Sequence, residues 1–160
     1  MRLIVMSDSH HNHIAVEKIV SRNLDADMFI HLGDGAEDVD MVRIMHPEIS
    51  SRFVHVCGNC DTESASSPVF TANVGKHKIY AVHGHTHCVK FSLNPLRQAA
   101  EASECDVILF GHTHCRYMKY DNGIYVINPG SCSCPADGTK PSFACINITD
   151  DGIVANIADV

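Results

Sequence analysis

The 160-residue chain has no tryptophan, aromatic residues make up only 6% of it, and Lys+Arg reach 12 against 19 Asp+Glu. Each shortage excludes something. With a net charge of −7 and no lysine or arginine cluster, the chain lacks the basic stripe that holds a nucleic-acid duplex. Few aromatics leave no base-stacking platform. No apolar run approaches the ~18 residues that span a bilayer, so no membrane is expected. Met1-Arg2 is followed by only four apolar residues before Ser7, short of the ~7–15 of a secretory segment, so the expected location is cytoplasmic. Eight cysteines in 160 residues fall below the ~8–10% of a disulfide scaffold, and a reducing compartment would leave them as thiols. At 45% apolar the chain can bury a core without staples.

Histidine is in excess, 12 residues, and histidine and cysteine are the residues that ligate transition metals. Where they fall depends on the pattern of elements. Leu3–Met6, Met28–Leu32 and Phe53–Val56 are short apolar runs that predict buried strands. Helical spacing separates them over 13–23 and 37–45, the second with Val39, Val42, Ile44 and Met45 as its apolar face. This β-α-β-α-β start predicts a parallel sheet with right-handed crossovers. The second half predicts hairpins at 69–82, 117–127 and 143–157, with a helix over 94–103 and a buried strand over 107–110. The expected fold class is α/β: two mixed β-sheets packed face to face with flanking helices, an αββα sandwich. No linker or composition shift divides 1–160, so one domain is expected.

The polar residues of interest follow strand ends: Asp8 and His10; Gly33-Asp34; Gly58-Asn59-Cys60-Asp61; His83-Gly84-His85; and Gly111-His112-Thr113-His114. Ligands of open α/β sheets bind at the carboxyl ends of the strands, so these residues should converge on one rim. Alternate residues of an extended stretch face one side, so Asp8 and His10 are expected to reach one ion together, and likewise His112 and His114. Gly84-His85-Thr86-His87-Cys88 recurs as Gly111-His112-Thr113-His114-Cys115, which offers His85 and His87 as rivals to His83.

These five motifs, in this order, resemble the calcineurin-like metallophosphoesterases, and Asn128-Pro129-Gly130-Ser131 extends the likeness to a small phosphodiesterase subgroup. The resemblance implies two divalent metal ions, with Mn ahead of Fe, Zn or Ni. Asp8, His10 and His114 would hold the first, Asn59, His83 and His112 the second, and Asp34 would bridge them. It favours His83, the residue before the glycine, over His85 and His87. The implied activity is hydrolysis of a small phosphodiester by a hydroxide activated between the metals, in line and without a covalent intermediate. A non-catalytic protein-binding scaffold on the same fold is the alternative, and a complete ligand set argues for the enzyme. Exposed hairpins leave a homo-oligomer open.

Three positions depart from the family pattern. Cys60 stands where many members carry a histidine that protonates the leaving group, and a thiol near pKa 8.5 is a poor substitute. Either leaving groups of low pKa are preferred, or His85 or His11 serves as general acid. His11 replaces a common glycine and narrows the entrance. Arg116 replaces a proline and offers a contact to substrate phosphate, or else is a solvated strand residue. With Asn59, these two are the candidate substrate-binding residues.

The remaining residues read plainly. His31 and His55, within apolar strands, are expected in the core; His13, His46 and His77 on the surface. Cys57/Cys60 and Cys132/Cys134 lack the paired knuckles of a Cys₄ zinc site, and Cys105, Cys115 and Cys145 read as small buried hydrophobes. Asp61 either orients a ligand histidine or caps the next turn.

Overall fold

The computed structural model describes residues 1–62 and 64–160. Ten strands are present: β1 (Arg2–Met6), β2 (Met28–His31), β3 (Phe53–His55), β4 (Val69–Val74), β5 (His77–Val82), β6 (Val107–Leu109), β7 (Arg116–Asp121), β8 (Ile124–Pro129), β9 (Ser142–Thr149) and β10 (Gly152–Asp159). The helices are α1 (His13–Ser21), α2 (Ala36–Met45) and α3 (Asn94–Ala102). They build two five-stranded sheets, ordered β10-β9-β1-β2-β3 and β4-β5-β6-β8-β7. Within the first, β1, β2 and β3 run parallel; within the second, β5, β6 and β8 do. Antiparallel hairpins close one edge of the first sheet, β10-β9, and both edges of the second, β4-β5 and β8-β7.

Three apolar layers explain the stacking. Leu3, Val5 and Ile30 from one sheet meet Ile79, Leu109 and Ile127 from the other in the central layer. The alternate residues Ile4 and Met6 turn outward onto Val16, Ile19, Val39 and Val42 of α1 and α2. Tyr80, Ile108 and Val126 turn outward onto Leu96 and Ala100 of α3. Strands buried on both faces carry continuous apolar runs because each face meets another layer. The expected αββα sandwich is what forms.

Some local expectations change. Ile44 is 75% exposed and Met45 49%, so the buried stripe of α2 is Val39 and Val42, with Asp38 buried beside them. His46 and His77 are largely covered: His46 lies between Glu17 and Glu48 at 3.4 and 3.3 Å, and His77 Nδ1 meets Asp106 at 2.6 Å. Contact with these carboxylates draws the rings under cover. All eight cysteines are free. Cys105 and Cys132 are buried, while Cys115 and Cys145 are half-buried.

Candidate metal centre

The parallel strands of both sheets end on one rim, and that rim gathers the chemistry. The chain leaves β1 into Asp8 and His10, β2 into Asp34, and β3 into Asn59. On the facing sheet it leaves β5 into His83 and β6 into His112 and His114. Backbone hydrogen bonds tie the turns together: Asp8 N–H to Gly33 O at 3.1 Å, His10 N–H to Asp34 O at 3.0 Å, and Gly111 N–H to His83 O at 3.0 Å.

The turns are not extended. Asp8, His10, Asp34, His112 and His114 have φ of 55°, 46°, 57°, 67° and 57°. This left-handed region costs an L-residue about 1–2 kcal/mol, and Asp and His tolerate it better than most. The simple alternation expected of extended chain therefore does not apply. His112 and His114 part company: His112 Nδ1 faces His83 Nε2 at 3.2 Å, whereas His114 Nε2 stands 3.3 Å from Asp8 Oδ1. A side chain on Gly58 would place its Cβ 2.2 Å from Asp34 Oδ1, so only glycine lets the β3 turn approach this carboxylate.

Two groups of donors result. Asp8, His10 and His114 offer ligand atoms within 4.8 Å of one another, and so do Asp34, His83 and His112. His10 Nε2 faces His114 Nε2 at 3.1 Å, and Asn59 Oδ1 lies 3.1 Å from His83 Nε2. Asp34 Oδ2 stands between the groups, 3.4 Å from His83 Nε2 and 3.8 Å from His10 Nε2. A third group of His10, Asp34 and Cys60 overlaps the first two. Among the described residues, no such group includes His85, His87, Cys57, Cys132 or Cys134.

A second tier of hydrogen bonds aims these atoms. His83 Nδ1 donates to Leu32 O at 2.7 Å and His114 Nδ1 to Cys134 O at 2.7 Å, which leaves both Nε2 atoms free to accept. Ser131 Oγ donates to Asp8 O at 2.7 Å, and Ser133 Oγ to Ser9 O at 2.7 Å. Asn128 Nδ2 donates to Gly111 O and to Thr113 Oγ1, both at 3.0 Å. The Asn-Pro-Gly-Ser turn thus braces two ligand-bearing turns, a role that its composition did not reveal. Asp61 accepts the backbone N–H groups of Asp34 and Gly58 at 2.8 Å, and of Gly35 and Ala36 at 2.9 Å. Among the described residues, its carboxylate meets no ligand imidazole and no N–H of the following turn. It pins the Asp34 turn and the start of α2, with His55 Nε2 at 3.3 Å as its counterpart. His31, fully buried, faces Ser9 Oγ at 3.1 Å, and Ser9 donates to Asp38 at 2.5 Å.

The charges are set by this packing. Burial opposes the charge of Asp8, yet the His114 and His83 imidazoles hold its carboxyl below the usual range. Burial likewise opposes Asp34, and His83 with the Cys60 N–H at 2.7 Å more than compensates. His114 is raised by Asp8. His112 is pushed down to about 4 by burial and by His83. The Cys60 thiol is pushed up to about 11 by burial and by the Asp34 carboxylate.

The other candidates lie as follows. His85 sits 5.3 Å from His83 and 6.1 Å from His112, ring to ring, with its Nδ1 buried and without a hydrogen bond. His11 is exposed and meets Glu37 at 3.4 Å. The Arg116 guanidinium is engaged elsewhere, with Asp159 at 2.6 Å and Lys140 O at 2.8 Å, because the start of β7 packs against the β9–β10 edge. A cleft of about 440 Å³ adjoins His10, Asp34 and Cys60 and continues along the first turns of α2.

The model of the calcineurin-like phosphoesterase superfamily domain matches residues 1–151. A Bacillus subtilis (strain 168) protein named "Probable metallophosphoesterase YsnB" is 31% identical over 160 residues, covering 99% of this chain and 91% of its own. Phosphodiesterase YfcE of Escherichia coli (strain K12) is 27% identical over 127 residues, 69% of this chain and 65% of that one. Among solved structures, a Streptococcus pneumoniae TIGR4 protein described as a predicted phosphoesterase superposes with a TM-score of 0.84 at 28% identity, covering 99% of this chain and 88% of that one. A Vps29 single mutant from Entamoeba histolytica shares the fold with a TM-score of 0.76 at 21% identity, covering 100% of this chain and 99% of that one.

Proposed function

The chain belongs to the calcineurin-like phosphoesterase superfamily, and we propose that it is a metal-dependent phosphodiesterase acting on small diesters. The observation that carries this reading is the pairing of two donor groups around one carboxylate, Asp34. In the proposed assignment, Asp8, His10 and His114 hold one divalent ion, Asn59, His83 and His112 hold the other, and Asp34 bridges.

The residues suit such ions. Imidazole nitrogens face one another at 3.1 and 3.2 Å, which leaves each pair in need of a shared cation or proton. Asp8 Oδ1 is buried without a well-aligned hydrogen-bond donor. Oxygen and imidazole donors suit Mn, Fe, Zn or Ni, and the family resemblance puts Mn first. Two such ions, when bound, supply Lewis acidity toward a phosphoryl oxygen and acidify water.

The protein's own part is placement. Asp34 is kept ionised by His83 and the Cys60 N–H, and its backbone is fixed by Asp61. His85, half-exposed beside His83 and His112, is the proposed proton donor to the leaving oxygen. Asn59 and His11 stand at the mouth as substrate contacts. A non-catalytic scaffold on this fold would have little reason to hold the complete donor set. Metal analysis, with hydrolysis of bis(p-nitrophenyl) phosphate against p-nitrophenyl phosphate in added Mn²⁺, tests the reading. Two metal equivalents and faster diester hydrolysis are expected; no metal and no hydrolysis of either ester would refute it.

A further inference from the structure

The cleft beside the proposed metal centre has a chemistry of its own. Its lining includes His10, Asp34 and Cys60 of the donor groups together with Glu37, Asp40 and Ser64. Among the described residues, no lysine or arginine lines it. A diester bound by its phosphate at the metal end must lay one of its ester groups along this wall or point it into solvent.

The start of α2 borders the cleft and would ordinarily attract an anion. Here it does not offer itself. Asp61 accepts the N–H groups of Gly35 and Ala36, each at 2.9 Å, so the positive end of the helix is already neutralised. Two other carboxylates of the lining are also engaged. Asp38 accepts from Ser9 at 2.5 Å and from Asn12 N–H at 3.2 Å, and Asp40 meets Arg43 at 3.3 Å. Glu37 differs: its side chain is 86% exposed, and among the described residues its one partner is His11, itself 84% exposed, at 3.4 Å. Among the described residues, the cleft thus carries one carboxylate free of any permanent cation, close to where the substrate's ester group would lie.

We infer that Glu37 selects the substrate by charge, and that the cleft takes a cationic, ammonium-bearing ester group in preference to an anionic one. The inference rests on the phosphodiesterase reading and deepens it. It places diesters with a second anionic group outside the preferred class. An exposed carboxylate–ammonium contact is modest, so the selectivity should be roughly three- to ten-fold and should shrink with added salt.

The test uses three esters with one leaving group: p-nitrophenyl phosphorylcholine, its neutral isostere p-nitrophenyl 3,3-dimethylbutyl phosphate, and a p-nitrophenyl diester bearing a carboxylate. With the metal-loaded protein, kcat/KM should fall in that order. Glu37→Gln should level the cationic and neutral esters, and Glu37→Lys should reverse the order. Equal rates for the cationic and carboxylate esters, or an unchanged order in Glu37→Lys, would overturn the inference alone. Failure to hydrolyse any of the three would overturn the phosphodiesterase reading with it.

Discussion

Asp61 Oδ2 accepts the backbone N–H of Asp34 at 2.8 Å, and the Asp34 carboxylate in turn reaches His83 Nε2 at 3.4 Å. One aspartate thereby fixes the backbone of another. Among the described residues, Asp61 receives four N–H groups. They hold its carboxyl well below the usual range together with His55, although burial opposes the charge.

Asp61→Asn should therefore do damage beyond its size. An amide has one accepting oxygen, and its NH₂ would confront at least one of those N–H groups. A buried, mismatched polar group costs on the order of 2–4 kcal/mol, and loss of a ligand's support lowers metal affinity or turnover roughly 10–100-fold. Urea denaturation of the metal-free protein and metal titration would both register it. A wild-type midpoint would show that Asp61 does not brace the turn.

Asp34→Asn should cost more than any other single change among the seven proposed ligands, because Asp34 faces both donor groups. The expectation is a fall from two metal equivalents to one or fewer, measured by elemental analysis, and a loss of diester hydrolysis of about a thousand-fold or more. Wild-type activity would refute the bridge.

Cys60 bears on the leaving group. Its thiol is held at about 11 by burial and Asp34, which suits proton donation at neutral pH poorly. Rates across a series of aryl and alkyl diesters should fall steeply as leaving-group pKa rises, and His85→Ala should steepen the fall. A flat series with full activity in both His85→Ala and His11→Ala would remove every role given to these residues.

His31 sets an acid limit on the metal-free protein. Burial and the neighbouring His55 push its pKa down to about 3, against ~6.5 in an unfolded chain. Between those values the unfolded state binds the extra proton, so stability is full above about pH 6.5 and falls as pH drops toward the folded value. From pH 7.5 to 5 this single site should remove about 2 kcal/mol. Denaturant unfolding at the two pH values, compared with His31→Gln, isolates it; equal losses in both proteins would contradict the assignment.

The architecture was legible because each strand that ends at the rim is buried on both faces, which leaves a continuous apolar run such as Leu3–Met6. The gathering of Asp8, His10, Asp34, Asn59, His83, His112 and His114 was legible because each follows such a run. What carries no local pattern was hidden. Asp61 acts through backbone N–H groups 25 to 27 residues away, and Ser131 reaches Asp8 O across 123 residues. The covering of His46 and His77 depends on which carboxylates the fold brings beside them. Arg116 could not be assigned before the β10 edge supplied Asp159.

The left-handed backbone at Asp8, His10, Asp34, His112 and His114 sets two kinds of selection against each other. At such positions glycine relieves a torsional penalty but deletes a donor. A library sorted for abundance would tolerate glycine there better than alanine, whereas one sorted for turnover would reject both. Sites where the two rankings diverge in that way would mark the ligands without any knowledge of the substrate.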